Sequence, residues 1–179
     1  MALRATIFKA DIHIADTDRG YFGSHSVTVA RHPSETDERM MTRLLAFALF
    51  ADADDTLVFT RGLSETDEPE LWRHDLTGAI IDWIDVGLPD ERRIMKACGR
   101  AQAVTVLAYG RQAEGWWKAA QPKLTRARGL RVLAFPPDDT MQLATLAERK
   151  MALNVNIQDD TVWVSSEAGE ATLALLRWQ

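Results

Sequence analysis

The chain has 179 residues, 21 basic and 26 acidic side chains, a formal net charge of −5 and one cysteine. This length suits one domain that buries roughly 70% of its unfolded surface, so no disulfide staple is needed, and the lone Cys98 excludes an intramolecular one. No apolar run approaches the roughly 20 residues that span a bilayer, and MALRATIFKADIHI lacks a cationic start followed by a long apolar stretch, so a cytoplasmic protein with no membrane partner is expected.

The charge is unevenly spread. Between Arg92 and Arg131 ten basic residues stand against one acid, Glu114, so that segment carries +9 and the remainder −14. Such asymmetry points either to an anionic partner for one face or to a solvated basic surface on helices and loops.

In chain order, residues 3–14 contain Ile7, Phe8, Ile12 and Ile14, and residues 21–30 include HSVTVA; the polar ADTDRG between them predicts a strand pair turning at Gly20. His13, His25 and His32 fall in or near these strands without metal-knuckle spacing, so they are expected as exposed or hydrogen-bonded sheet residues. PSETD at residues 33–37 predicts a helix start with Ser34 as N-cap, and the helix continues to about Ala51 with Met41, Leu44, Leu45, Ala48 and Leu49 as its apolar stripe. Glu38, at the edge of that stripe, reads either as a first-turn acid favoured by the helix dipole or as a carboxylate aimed into a cleft.

TLVFTR at residues 56–61 predicts a short strand. The acid-rich GLSETDEPE after it predicts a solvated loop, or a loop opening a short helix at residues 70–73. Residues 79–87 have the length and β-branched content of a buried strand, interrupted by Asp82 and Asp85. Three positions apart in a period of two, these acids point to opposite faces, and Asp85 shares its face with Ile81, Trp83 and Gly87. A carboxylate on an apolar face is strongly unfavourable unless it is paired, protonated or metal-bound, so Asp85 needs a partner.

GLPDE at residues 87–91 ends that strand and opens a helix carrying Arg92, Arg93, Lys96 and Arg100, with Ile94, Ala97, Cys98 and Ala101 toward the core. AVTVLAY at residues 103–109 is the next strand, and strand, helix, strand with short connections implies a right-handed crossover and a parallel pair. A helix holding Trp116 and Trp117, a strand at residues 130–135, and a short helix opened by Asp138 or Asp139 and reaching Ala147 follow. Residues 150–157, 161–165 and 171–178 predict antiparallel strands.

The chain has no GxxxxGKS/T loop, GxGxxG, GxSxG, CxxC or HExxH, and Cys98 sits at a helix core position where thiols are usually inert. What remains is a set of carboxylates and a lysine at one sheet edge: Asp75 before the Thr77-Gly78 turn, Asp85 on the strand, Lys96 on the next helix, and Glu38 from the earlier helix. Two or three carboxylates suit a hard divalent cation such as Mg²⁺ or Mn²⁺, and a lysine suits charge stabilisation at a phosphodiester.

The order helix, three strands, helix, strand, with two aspartates about ten residues apart, resembles the core of the PD-(D/E)xK nuclease superfamily. HPSET-ER, FTRGL, DEPE-W, WI-D-GLPDERRI-KA and IQD--VW---S closing in Trp178 resemble the YaeQ family over essentially the whole chain. The resemblance implies a single α/β domain of mixed α+β character over residues 1–179. It would hold a restriction-endonuclease-like core near residues 33–110, a mixed sheet flanked by helices, and extra antiparallel strands at both termini. It assigns Asp75 to the first motif acid, Asp85 to the second and Glu38 to the helix glutamate, and these three would hold Mg²⁺ or Mn²⁺. The superfamily lysine position, two after the second acid, is Gly87 here, so Lys96 would substitute. Arg92, Arg93 and Arg100 would contact a nucleic-acid backbone, DNA or RNA. The expectation is therefore a metal-dependent nuclease, or a catalytically inactive nucleic-acid or transcription-complex binding protein that keeps the fold.

Overall fold

The computed structural model describes residues 4–61 and 67–179, and the chain divides into two compact units, Met1–Asp54 with Asp138–Leu175 and Asp55–Pro137 with Leu176–Gln179. The expected arrangement about one mixed sheet is replaced by two separate mixed sheets, of five and six strands.

The first unit is built on β1 (Thr6–Asp16) and β2 (Tyr21–Arg31), an antiparallel pair that turns at Gly20, whose φ of 68° is the left-handed region glycine enters freely. β8 (Lys150–Gln158) runs parallel to β1, and β9 (Thr161–Ser166) and β10 (Gly169–Ala174) add antiparallel strands, giving the order β10-β9-β8-β1-β2. Strict alternation along β1 and β8 buries Phe8, Ala10, Ile12, Ile14, Met151, Leu153, Val155 and Ile157 on one face.

α1 (Asp37–Phe50) belongs to the same unit. Its N-cap is Thr36, whose hydroxyl accepts from the Arg39 amide at 3.1 Å; the expected cap Ser34 lies outside the helix because its hydroxyl is bound to the His32 ring at 2.6 Å. The helix is buried from Met40 through Leu49 rather than along one stripe. Its C-terminus carries no basic residue of its own, and Arg19 supplies the charge by donating to the Ala48 and Ala51 carbonyls while Asp16 holds it at 2.6 Å. α4 (Pro137–Ala144) opens on the proline with Asp138 and Asp139 in its first turn, and it ends three residues before the expected Ala147.

The second unit is a sheet in the order β11-β7-β6-β5-β4-β3. β3 (Leu57–Phe59), β4 (Leu71–His74) and β5 (Ile80–Val86) form an antiparallel meander, and β5, β6 (Ala101–Ala108) and β7 (Leu130–Ala134) are parallel neighbours. The parallel β5–β6 pair follows the expectation, with α2 (Glu91–Cys98) between them. Residues 70–73 are not helical, because Leu71 and Trp72 pair with Ile84 and Trp83 across the sheet and long-range pairing outweighs the weak local preference. The last expected strand is split: β10 ends at Ala174, and β11 (Leu176–Arg177) pairs with β7. α2, α3 (Ala113–Ala120) and a 3₁₀ turn at Gln121–Lys123 cover one face. There Ile94, Ala97, Trp117, Ala120 and Leu124 pack with Trp83, Val104, Val106, Leu130 and Val132. Trp72, Trp116 and Trp178 complete that core half-buried, so the tryptophans of this unit serve packing.

Candidate functional site

β5 sends its two acids to opposite faces, as the period of two requires. Asp82 shares its face with Arg73, its cross-strand partner, whose guanidinium donates to it at 2.7 Å, and Arg131 approaches to 3.9 Å from β7. Asp85 faces the helical layer, 3% exposed. Its partner is Arg93. The Arg93 Nη2 donates to Oδ1 at 2.8 Å and its Nε to Oδ2 at 3.1 Å, a two-point grip joined by the Trp83 indole N–H at 3.1 Å. Asp90 sets this up by capping α2 through the Arg93 amide at 2.8 Å, which places Arg93 in the first turn directly over the end of β5. The hydrogen bonds that Arg93 donates to Asp85 hold its guanidinium above its usual pKa, and the negative charges of Asp85, Glu70 and Asp90 add to the effect.

The remaining expected site residues are engaged elsewhere. Asp75 is half-buried and spends its carboxylate on the β4–β5 turn, accepting from the Thr77 hydroxyl at 2.6 Å, the Thr77 amide at 2.8 Å and the Ala79 amide at 3.0 Å. Led by the Thr77 hydroxyl, those bonds hold its carboxyl below the ordinary carboxylate range. Lys96 is exposed and donates to Asp67 at 2.6 Å, an ion pair that lowers the Asp67 pKa. Glu38 lies in the first unit, where its carboxylate accepts from the Thr140 hydroxyl at 2.7 Å. Among the described residues, no group of three or more His, Cys, Asp or Glu is arranged to hold a metal ion. The donor set therefore does not fit Mg²⁺ or Mn²⁺: Asp85 already holds a guanidinium, and Asp75 is closed by its own turn.

The cations differ among themselves. Arg93 also donates to the Glu68 carbonyl at 2.8 Å, so its donors are directed inward rather than toward a backbone phosphate. Arg100 donates to the Asp67 carbonyl at 3.0 Å and lies over the Trp83 ring at 5.0 Å. Arg92 is exposed and, with Arg111, Lys118, Arg126 and Arg128, makes no ion pair among the described residues.

Glu70 was missed by sequence reasoning, which placed it in a solvated acidic loop; part of that loop, residues 62–66, lies outside the described residues. It is only 6% exposed, because its amide donates to the Ile84 carbonyl at 2.9 Å and its neighbour Leu71 pairs with Ile84. The signal was the Leu71-Trp72 pair after it, which reads as a strand once β5 is available as a partner. Gly87, the position where the resemblance would imply a lysine, has φ 114°, a backbone that an L side chain rarely adopts. His13, His25 and His32 behave as expected, bonded to Ser24, Tyr21 and Ser34. Cys98 is half-buried, and that burial pushes its thiol pKa up.

A model of the YaeQ protein family matches residues 1–175. The YaeQ protein of Salmonella typhi is 47% identical over 181 aligned residues that cover 100% of this chain and 98% of the relative, and that of Escherichia coli K12 is 45% identical over the same span. The crystal structure of the YaeQ protein from Xanthomonas axonopodis pv. citri superimposes with a TM-score of 0.94 at 50% identity, covering 98% of both chains. The one from Pseudomonas syringae gives 0.92 at 35% identity, covering 98% of this chain and 96% of that one.

Proposed function

The chain belongs to the YaeQ family, and from that premise we propose that it is a nucleic-acid-binding protein on a nuclease-like core, with an arginine standing where a metal-dependent relative would hold its cation. The observation that carries this reading is how the second unit uses its charges. Six of its eleven acids are consumed internally: Asp82 by Arg73, Asp85 by Arg93, Asp67 by Lys96, Glu91 by Lys123, Asp75 by a turn and Asp90 by a helix cap. Arg92, Arg111, Lys118, Arg126 and Arg128 are left exposed, on the helical layer and the loops that continue it. Cations without internal ion pairs are what a phosphate backbone displaces counterions to reach.

Support for a nuclease-like ancestry comes from the meander β3-β4-β5 followed by α2 and the parallel strand β6. The chemistry at its centre favours binding over cleavage. The bidentate Arg93–Asp85 pair supplies a positive charge without a hydrated metal to activate water, and Gly87 keeps the lysine position free of a side chain.

Calorimetric titration with Mg²⁺ and Mn²⁺, together with incubation of DNA and RNA substrates, separates the two readings. Binding of a labelled strand in EDTA, no heat of metal uptake and intact substrate are expected. Metal uptake coupled to strand scission that disappears in Asp85→Ala would return the protein to the nucleases.

A further inference from the structure

The two sheets end in four edge strands among the described residues, and three are the shorter ones: β3 has three residues, β11 two and β10 six. The fourth, β2, has eleven. It pairs with β1 along its whole length, Thr6↔Arg31 through Asp16↔Tyr21, without a bulge, and among the described residues it has no strand on its other side. Proteins protect such edges with prolines, bulges or charged side chains. β2 contains no proline, and from Tyr21 to Ala30 no Lys, Arg, Asp or Glu. Its inward residues Tyr21, Gly23, His25 and Val27 are only half-buried, whereas the inward residues of β1 from Phe8 to Asp16 are all buried, and Phe22 is 65% exposed.

We infer that β2 is the interface of a homodimer, in which two copies pair their β2 strands antiparallel about a twofold axis and join two five-stranded sheets into one of ten. The occupant is a second copy because the strand complements itself. The register that pairs all eleven residues is centred on Ser26, so Phe22 meets Ala30 of the other copy, Gly23 meets Val29, Ser24 meets Thr28 and His25 meets Val27. From Phe22 to Ala30 each larger side chain faces a smaller one on the same face of the joined sheet, and at either end Tyr21 meets Arg31 of the other copy. Charge points the same way. The first unit has eight basic against fifteen acidic residues, a net −7, so two copies repel wherever that charge is brought together. The uncharged run 21–30 is where they can approach, and an isologous pairing of this kind closes at two copies instead of growing into a fibre.

Sedimentation velocity of the full chain at rising concentration tests this, with far-UV circular dichroism and the thermal midpoint as folding controls. The wild type should reach twice the 20.1 kDa chain mass. Ser24→Lys with Thr28→Lys sets like charges opposite each other twice across the axis, so that variant should remain at single-chain mass with unchanged circular dichroism. Ser24→Lys with Thr28→Glu sets opposite charges together in the same register and should regain the dimer. A wild type that stays at single-chain mass, a dimer that survives the double lysine variant, or a Lys/Glu variant that fails to pair overturns the assignment.

Discussion

The two units use charge in opposite ways. In the unit Asp55–Pro137 with Leu176–Gln179, thirteen basic residues face eleven acidic ones, a net +2, yet most of the acids are held inside ion pairs, turns and caps while several arginines and lysines are left outward. The other unit is acidic at −7 but keeps the long strand β2 free of charge from Tyr21 to Ala30. Net charge alone therefore misleads about partners. What matters is which charges remain after the fold has paired its own, and that remainder is cationic on the helical layer of one unit and neutral on an edge of the other.

The most damaging change should be Arg93→Ala. It leaves Asp85, 3% exposed, without its bidentate partner, and breaking a buried pair on one side is expected to cost about 3 kcal/mol in chemical denaturation. Arg93→Lys should recover only part of that loss, because a lysine cannot reproduce the two-point grip. Gly87→Lys comes next. This substitution forces a side chain onto a backbone at φ 114°, so about 2 kcal/mol of destabilisation is expected, with no gain of metal-dependent cleavage in a nuclease assay.

Neutralising Arg92, Arg126 and Arg128 should leave the denaturation midpoint unchanged and weaken nucleic-acid binding, lowering the slope of log affinity against log salt by about 1 for each phosphate that is no longer neutralised. Smallest is the Asp67–Lys96 pair, where Lys96→Ala should lower the midpoint only slightly, since exposed pairs contribute little. Acid separates this pair from the core of the unit. The pKa of Asp67 is lowered in the folded protein, chiefly by its hydrogen bond to Lys96, so its small contribution is complete above the unfolded carboxylate pKa and lost as pH falls through the lower folded value. Comparing wild type with Lys96→Ala in acid should show the two curves merging there.

Much of this architecture was legible in the sequence because it is written in local periods. The β1–β2 turn at Gly20, β5 with its two acids on opposite faces, and the parallel β5–β6 pair around α2 all follow from spacing. That Asp85 must have a partner was legible too, but which partner was not. Arg93 reads as an exposed helix residue until Asp90 is known to cap α2 and turn the first-turn arginine back over the strand. Asp75 illustrates the converse. An aspartate before Leu-Thr-Gly is as readable as a turn residue as it is as a ligand, and three local donors decide the matter. The division into two sheets was not legible, since β1 pairs with β8 across some 140 residues and no local signal records it.

The central claim, that cations left over from internal pairing bind a nucleic-acid backbone without help from a metal, is tested most directly by fluorescence anisotropy of a labelled strand over a salt series, once in EDTA and once in Mg²⁺ at matched ionic strength. Affinities that need no Mg²⁺ and fall in both buffers as salt rises are predicted. Binding that appears only with Mg²⁺, or that ignores salt, would contradict it.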